Sequence, residues 1–450
     1  MLQSRESLLL LALTALTAGT MLHFGDYDAV SFVLLVTGCG VMAFALRAEE
    51  LTDAGTGTWV LVLLGIGALG LCYARFVGLP LLVPLSLLLA ATGAAAIAVK
   101  QRRTRLLLLT LSGVALAAMI AMFWTWGAPL DVFSSVQSAS SALLAGHNPY
   151  STTFAATVMY GPGIIGTQII HFQYLPGVAI LAAPARLLGD SRISGAVAAA
   201  VLFVFTVGLA RQGEATQSGR TLRVTALALV LPVTATMTHY GWVDVYAMAG
   251  FAGWLALRRD HRHWAVVALA TALTIKPTIL IALVPMFLWS SRARREMVAS
   301  GVIAGAVMLP FILATGFGSF YQDVIGIQSQ LGVRYDSLTA NVAWFNLTGS
   351  LLPAWFGPAL GAAIAIAVLR RRPSDLSDVL AAAALLATAA FLLSKWAFFN
   401  YYYVPIWLLI LAAAGRGLPF EVRAADVVLP WFGLQRSRFA LRRSRSAPAV

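Results

Sequence analysis

Charged residues are scarce in this sequence, with Asp, Glu, Lys and Arg making up only 11% of its 450 residues. Ordinary soluble domains carry about 25% of these residues. Hydrophobic residues make up 60% of the chain, and apolar runs long enough to cross a hydrocarbon core of about 30 Å recur along nearly its whole length. This composition excludes a soluble domain with a single anchor and predicts an all-α polytopic membrane protein.

Cysteines and catalytic motifs are also nearly missing. Cys39 and Cys72 both fall in predicted membrane segments without a CxxC or His/Cys cluster, so neither a disulfide framework nor a zinc site is indicated, and dependence on a divalent metal stays open. The chain contains no GxxxxGK[ST], HExxH or GxSxG sequence. Nucleotide-driven pumping, zinc proteolysis and hydrolase chemistry therefore lack support. A reaction at the outer face would need a donor that is already activated and already in the membrane, with no other obligatory cofactor.

Positive charge dominates, and its placement matters more than the formal net value of +13. Most arginines fall in short clusters between apolar runs, at 100–105, 258–263, 292–296, 370–372 and 436–446. Such clusters mark cytoplasmic loops, which favours a topological role over nucleic-acid binding. We expect membrane lipids rather than nucleic acid as partners, and a basic tail on the cytoplasmic membrane surface.

Apolar length and arginine flanks predict about 12 to 14 transmembrane helices, with an uncleaved first helix and both termini cytoplasmic. The fourteen candidate spans lie near 7–24, 29–46, 57–75, 78–99, 105–126, 193–210, 223–238, 243–258, 263–277, 278–290, 297–315, 353–369, 376–394 and 399–415. Segment 172–189 is interpreted as a short helix at the outer face, because counting it as a span would move every later arginine cluster outside. Residues 127–192 then form one long structured external loop, and 316–346 a second.

This topology divides the chain into four segments. We expect accessory transmembrane helices at 1–104, a catalytic module with the long external loop at 105–300, C-terminal transmembrane helices at 301–415 and the basic cytoplasmic tail at 416–450. The first segment is rich in Ala and Leu and poor in polar residues, which is why it is interpreted as accessory.

Acidic side chains on the predicted outer side are few, and any acid–base chemistry at that face must use one of them. They are Asp26, Asp28, Asp131, Asp244, Asp323 and Asp336. Asp131 opens the stretch DVFSSVQSASSALLAG, whose pattern predicts an amphipathic surface helix that ends at Gly146. Asp131 is either a cap of that helix or a catalytic base, and the spacing alone leaves both roles open.

Lys276 is one of only three lysines and lies between two apolar runs. An ammonium there either snorkels to the outer interface or faces an anionic partner such as a phosphate. The sequence HYGWVD at 239–244 is a predicted outer turn, which forms either an aromatic belt or part of a site.

Three further outer cations need an interpretation. Arg334, beside Tyr335, is a candidate site cation, whereas Arg192 is interpreted as a lone interfacial charge. Lys395 and the tyrosines of SKWAFFNYYYVP are typical of an interfacial girdle.

These motifs together resemble a known family. An apolar helix, Asp131, the sequence ALLAGHNPY and the sequence YLPGVAIL follow one another as in the polyprenol-phosphate-sugar-dependent glycosyltransferases of the GT-C fold, above all their bacterial mannosyltransferase branch, the GT87-like enzymes. The sequences GWVD and ALTIKPTIL are similar to the family's outer turn and its KP helix. The likeness covers roughly residues 120–300 and is absent from the first hundred. YLPG stands in place of YPPL, and Trp242 in place of the usual glutamine.

The resemblance implies a GT-C-like helical bundle and a role for each matching residue. Asp131 would be the catalytic base, Lys276 would hold the lipid-linked phosphate, and Arg334 would be a second cation. The remaining candidates for substrate binding or cavity shape are His147, Asn148 and Tyr150 of the NPY turn, Tyr174 of the Y-x-P motif, and His239, Tyr240 and Asp244 of the outer turn.

The function that we expect is transfer of a sugar, mannose, from a polyprenyl-phosphate carrier to a glycolipid or polysaccharide acceptor at the outer face of the cytoplasmic membrane. One alternative is a non-catalytic lipid or polysaccharide transporter, whose polar residues should lie at mid-span rather than at helix ends. Another alternative is an inactive scaffold, in which the aromatic residues and arginines only organise the bundle.

Overall fold

The computed structural model describes residues 4–48, 53–71, 82–125, 131–161, 164–213, 219–327, 333–371 and 373–420. Most of the predicted basic tail, from residue 421 onwards, lies outside the described residues, as do residues 127–130 at the start of the long external loop. The described part contains nineteen α-helices and a single β-hairpin. The all-α polytopic class is therefore confirmed.

The N-terminal half contains α1 (Arg5–Met21), α2 (Ala29–Ala45), α3 (Thr56–Ala68), α4 (Leu82–Ala98), α5 (Arg102–Thr125), α6 (Asp131–Leu144), α7 (Gly177–Leu187) and α8 (Arg192–Gln212). Between α6 and α7 lie a 3₁₀ turn (Pro149–Ser151) and two antiparallel strands, β1 (Thr153–Gly161) and β2 (Ile164–His171). The C-terminal half contains α9 (Arg220–Val230), α10 (Pro232–His239), α11 (Asp244–Leu257), α12 (Arg262–Leu273), α13 (Ile279–Trp289), α14 (Ser291–Thr315), α15 (Phe317–Tyr321), a π-helical turn (Gln322–Gly326), α16 (Ala340–Thr348), α17 (Phe356–Leu369), α18 (Leu376–Leu392) and α19 (Phe399–Gly415).

Each of the fourteen predicted spans coincides with a described helix, if the bent pair α9 and α10 is counted once. In the described residues, α5, α8 and α14 are each long and apolar enough to cross a membrane, and the pair α9 and α10, bent by 44°, makes a fourth candidate. Most of the other spans are apolar helices of 10–17 residues. The hydrophobic pattern located the spans well and overestimated the helical length of several, because proline and polar turns end the helices early.

The connections between helices gather at two opposite ends of the bundle, as an up-and-down topology requires. At one end, which we call the site end, the α1–α2 turn meets the start of α19, where the Phe24 and Phe399 rings stack 5.7 Å apart. Trp242, between α10 and α11, stacks on the other side of Phe399 at 5.2 Å. The connections predicted to be external therefore lie together.

The opposite, arginine-rich end carries buried ion pairs. Glu6 at the start of α1 pairs with Arg416 just after α19, with 2.9 Å between the carboxylate oxygen and the guanidinium nitrogen. Glu296 of α14 accepts from Arg292 at 2.9 Å and from the Trp254 indole at 2.8 Å, and its side chain is wholly buried. These pairs join the first and last helices and fix α11 against α14.

The segment 172–189 forms a short helix, α7, and both of its ends lie at the site end of the bundle. Gln137 of α6 accepts from the Ser191 N–H at 2.8 Å and donates to the Gly189 carbonyl at 2.9 Å. The chain therefore packs against α6 directly after α7.

The β-hairpin was not predicted, since the sequence analysis expected only surface helices in the long external loop. Thr153 pairs with His171 and Ala155 with Ile169, and an irregularity in the register falls between Met159 and Gly161. The signal was present, because β-branched residues flank the sequence Gly-Pro-Gly at 161–163, as is typical of a hairpin.

Candidate functional site

An ion pair between Lys276 and Asp244 lies at the centre of the candidate site. Pro277 disfavours helical backbone at the residue before it, so Lys276 lies in the non-helical connection between α12 and α13. The Lys276 Nζ donates to Asp244 Oδ1 at 3.0 Å and to Oδ2 at 3.2 Å. Asp244 is the first residue of α11, where the helix dipole stabilises a carboxylate. The Lys276 and Asp244 side chains are 11% and 2% exposed, so the ammonium is slightly more accessible than the carboxylate.

The last helix, α19, adds two residues that the sequence analysis missed. The Asn400 Nδ2 donates to Asp244 Oδ2 at 3.2 Å. The Lys276 Nζ lies 4.3 Å from the centroid of the Tyr401 ring, a cation–π distance, and the Trp396 indole donates to the Tyr401 hydroxyl at 3.2 Å. The segment interpreted as an interfacial girdle therefore holds the lysine–aspartate pair.

Tyr174 links this pair to Asp131. Burial raises the pKa of Tyr174, and the nearby charges of Asp131 and Asp244 raise it further. The phenol therefore keeps its proton at neutral pH and can donate a hydrogen bond between the two carboxylates.

Gly177, the departure from the usual YPPL motif, brings Tyr174 to this position. Its N–H donates to the Thr274 carbonyl at 3.0 Å, and a side chain at 177 would overlap the Thr274 hydroxyl. Thr274 is two residues from Lys276, so the glycine lets the start of α7 pack directly beside the lysine.

Asp131 is the first residue of α6, and the predicted amphipathic helix ends close to Gly146, whose φ of 77° is left-handed. Its Oδ1 accepts from the Val132 N–H at 2.8 Å. Burial raises the pKa of the Asp131 carboxyl, whereas this hydrogen bond and the charge of Arg334 act against the increase. A carboxylate with a raised pKa is a stronger base than an ordinary one.

Arg334 lies close to Asp131 but is held by another acid. Its Nε donates to Asp336 Oδ1 at 2.9 Å, its Nη2 bonds to Oδ2, and its guanidinium lies 4.7 Å from the centroid of the Phe398 ring. Asp26 in the α1–α2 turn lies beside this pair. Its pKa is raised to about 6, first by burial and then by the Asp336 charge, while Arg334 and His23 lower it.

The structure distinguishes the six acids that are predicted to lie on the outer side by their partners. Asp244 and Asp336 are in ion pairs, and Asp28 caps α2 by accepting from the Ser31 N–H at 3.0 Å. Asp323 lies in the π-helical turn, where burial raises the pKa of its carboxyl and the nearby His171 opposes part of this increase. Within the described residues, Asp131 is the half-buried acid that lies beside Tyr174 and Arg334 and forms no ion pair.

Comparisons with known proteins bear on this arrangement. The family model described as glycosyltransferase family 87 matches residues 172–395, about half of the chain. This segment belongs to glycosyltransferase family 87. No curated protein and no solved structure matches the chain. The family assignment makes the protein a glycosyltransferase of the GT-C-like type, and the matched segment extends further towards the C-terminus than the resemblance noted from the motifs.

The family 87 match includes part of the candidate site. Tyr174, Asp244, Lys276 and Arg334 lie within the matched residues. Asp131 precedes the match, and Asn400 and Tyr401 follow it. The site of this glycosyltransferase is therefore completed by elements on both sides of the matched segment.

The NPY turn of the glycosyltransferase holds Tyr174 in position through hydrogen bonds. The Asn148 Oδ1 accepts from the Tyr150 N–H at 3.2 Å and its Nδ2 donates to Thr315 Oγ1 at 2.7 Å. The Tyr150 hydroxyl donates to the Tyr174 carbonyl at 2.6 Å. Because Tyr150 is only 2% exposed, it positions Tyr174 rather than contacting substrate, while the His147 side chain points to the surface.

The HYGWVD turn has a similar supporting role. His239 is 4% exposed and its ring lies 4.4 Å from that of Tyr240, which in turn lies 5.1 Å from Trp242. Trp242, the substitution for the usual glutamine, stacks on Phe399 at the start of α19. Of the candidates in this turn, Asp244 alone is bonded to Lys276.

Arg192 is not the lone interfacial charge that the sequence suggested. Its Nη2 lies 2.6 Å from Asp190 Oδ2, and its guanidinium lies 4.8 Å from the centroid of the Phe133 ring on α6. It also reaches the His239 carbonyl at 3.5 Å. Arg192 thus joins the start of α8 to α6 and to the HYGWVD turn.

Proposed function

We propose that this glycosyltransferase moves a sugar, mannose, from a polyprenyl-phosphate carrier to a hydroxyl of a glycolipid or polysaccharide acceptor at the outer face of the cytoplasmic membrane, with Asp131 as general base. One observation carries the proposal. Among the described acids that are predicted to lie outside, Asp131 is the half-buried carboxylate that lies beside Tyr174 and forms no ion pair, so it can accept a proton.

The reaction follows from the chemistry of a glycosyl phosphate. The acceptor oxygen attacks the anomeric carbon and loses its proton to Asp131, while the bond from that carbon to the phosphate oxygen breaks and its electron pair leaves with the phosphate. One carboxylate is sufficient for such an inverting displacement. The carrier phosphate is already a good leaving group, so the proposal needs no nucleotide and no further cofactor.

Lys276 is suited to receive the charge that develops on the leaving phosphate. An ammonium has three N–H donors, and Asp244 occupies only part of this capacity, through two contacts from one side. Asp244 and Asn400 fix the position of the ammonium, which then acts as a preorganised cation. Arg334 contributes a second positive charge closer to Asp131.

Tyr174 is placed to orient the donor. Its protonated phenol is near enough to both Asp131 and Asp244 for their charges to raise its pKa, and its backbone is fixed by Tyr150 and by Gly177. A hydrogen bond from this phenol to a phosphate or sugar oxygen would hold the anomeric carbon between the base and the cation.

The test is replacement of Asp131 by Asn, which keeps the size of the side chain and removes the base. Sugar transfer by the purified protein should fall by about 10² to 10⁴-fold. Binding of the lipid-linked donor should change much less. The matched control is Asp323→Asn, an outer acid away from Lys276, which should retain transfer.

Two results would contradict the proposal. Full transfer by Asp131→Asn would exclude this residue as the base. If the unaltered protein moved a glycolipid across the membrane of a vesicle and transferred no sugar, the transporter alternative would be supported instead.

A further inference from the structure

A groove lies on the opposite side of the molecule, near the arginine-rich end of the bundle. It measures about 420 Å³ and is lined by Phe205 of α8, Leu257 at the end of α11, His261, and Trp264, Val267 and Ala268 of α12. This volume is within the range of about 300–1,000 Å³ that small-ligand sites occupy. None of its residues belongs to the candidate glycosyl-transfer site.

The position of the groove along the helices suits a lipid. Its lining runs from the connection between α11 and α12 to about two turns along α12, a distance of about 10 Å at 1.5 Å per residue. The Gln212 Nε2 donates to the Ala256 carbonyl at 2.7 Å, so α8 and α11 end at the same level. The groove therefore opens at this end and continues into the apolar part of the bundle.

The walls are apolar and open rather than covered by protein. Trp264 is 67% exposed and Val267 41%, which is unusual for a water-facing surface but is expected for one that faces hydrocarbon. A tryptophan near a helix end is typical of the level of the lipid headgroups.

Basic residues lie near the open end of the groove. Arg259 and Arg262 are exposed and lie within two residues of His261, which lines the groove, and Arg211 lies in the last turn of α8. Asp260 is the one acid in the connection from 258 to 263. Among the described residues, no ion pair involves Arg259 or Arg262, in contrast to Arg258, which pairs with Glu296. Basic clusters beside grooves between helices attract anionic headgroups.

We infer that this groove binds an anionic phospholipid, with one acyl chain along Phe205, Trp264 and Ala268 and the phosphate at Arg259 and Arg262. The site is independent of the proposed sugar transfer, because it lies at the opposite end of the bundle from Lys276. A neutral phospholipid would fill the same walls but would gain nothing from the arginines.

Native mass spectrometry of the delipidated protein in detergent tests this inference, with phosphatidylglycerol and phosphatidylcholine as probes. The unaltered protein should bind phosphatidylglycerol at least about fivefold more tightly. The double variant Arg259→Gln and Arg262→Gln should lose about tenfold or more of that affinity, since each basic residue near an anionic surface contributes to the attraction. Trp264→Ala should weaken both lipids.

Matched variants control for general effects on charge and exposed area. Trp355→Ala removes a tryptophan of nearly equal exposure, 68%, and should leave lipid binding unchanged. Arg295→Gln with Arg370→Gln removes two exposed arginines elsewhere and should also leave it unchanged. Equal binding of the two lipids, or equal losses in the groove and control variants, would overturn the inference. Monodisperse elution of each variant and retained sugar transfer distinguish a lost lipid site from a lost fold.

Discussion

The Lys276–Asp244 ion pair should contribute both to stability and to sugar transfer, and two variants distinguish these contributions. Lys276→Met keeps the length of the side chain and removes its charge. Asp244, which is 2% exposed, then keeps its hydrogen bond from the Asn400 amide but loses its ion pair. Breaking one side of a buried pair costs about 3–5 kcal/mol, because a charge remains without compensation. The free energy of unfolding, measured by titration with SDS in mixed micelles, should fall by about that amount.

The double variant Lys276→Met with Asp244→Asn should recover most of this loss. Replacing both charges leaves no uncompensated group, and such neutral replacements are often without cost. The asparagine at 244 can still accept from Asn400. Sugar transfer should nevertheless stay low in the double variant, because the cation for the leaving phosphate is absent.

Lys395→Met is the matched control for the change of side chain. Lys395 lies 4.5 Å from the centroid of the Trp396 ring at a less enclosed position, so the cost should stay near or below about 1 kcal/mol. A loss below about 1 kcal/mol for Lys276→Met would refute the buried pair. Recovery of transfer together with stability in the double variant would refute the catalytic role of Lys276 and leave only a structural one.

Two further predictions concern the α1–α2 turn. Because the folded-state pKa of Asp26 is raised to about 6, the folded protein binds this proton more tightly than the unfolded chain does. The stability of the protein should therefore decrease as the pH rises through about 4 to 6. Asp26→Asn should flatten that part of the plot of unfolding temperature against pH and raise the unfolding temperature at pH 7. Gly25→Ala should lower the unfolding temperature, because Gly25 has a φ of 77° and a Cβ there would overlap the Phe399 backbone. Gly40→Ala is the control and should leave the unfolding temperature unchanged, because no atom lies within 4 Å of the added Cβ.

Several residues of the sequence motifs make contacts within the protein that hold the candidate site together. Asn148, Tyr150 and His239 lie in the motifs close to residues of the candidate site. Their side chains contact other residues of the protein, which are Thr315, Tyr174 and Tyr240 respectively. A motif records that a residue is required, but it does not distinguish a contact with substrate from a contact that positions another side chain.

The sequence by itself determined the class of the protein and the location of its helices. Apolar length and the placement of arginines are local properties, and the physics of the hydrocarbon core converts them directly into spans and sides. The same patterns predicted a short helix within segment 172–189 and a helix that begins at Asp131, and the structure contains both.

Only the tertiary structure decided which helix ends meet. Asp244 and Lys276 are 32 positions apart, and Asn400 is 156 positions from Asp244, so no periodicity in the sequence could pair them. Helix packing brings these ends together, and burial then requires each charge to find a partner. Helix packing also paired Arg334 and Arg192 with acids and, among the described residues, gave Asp131 no ion pair, which is why the choice of the proposed base depends on the fold.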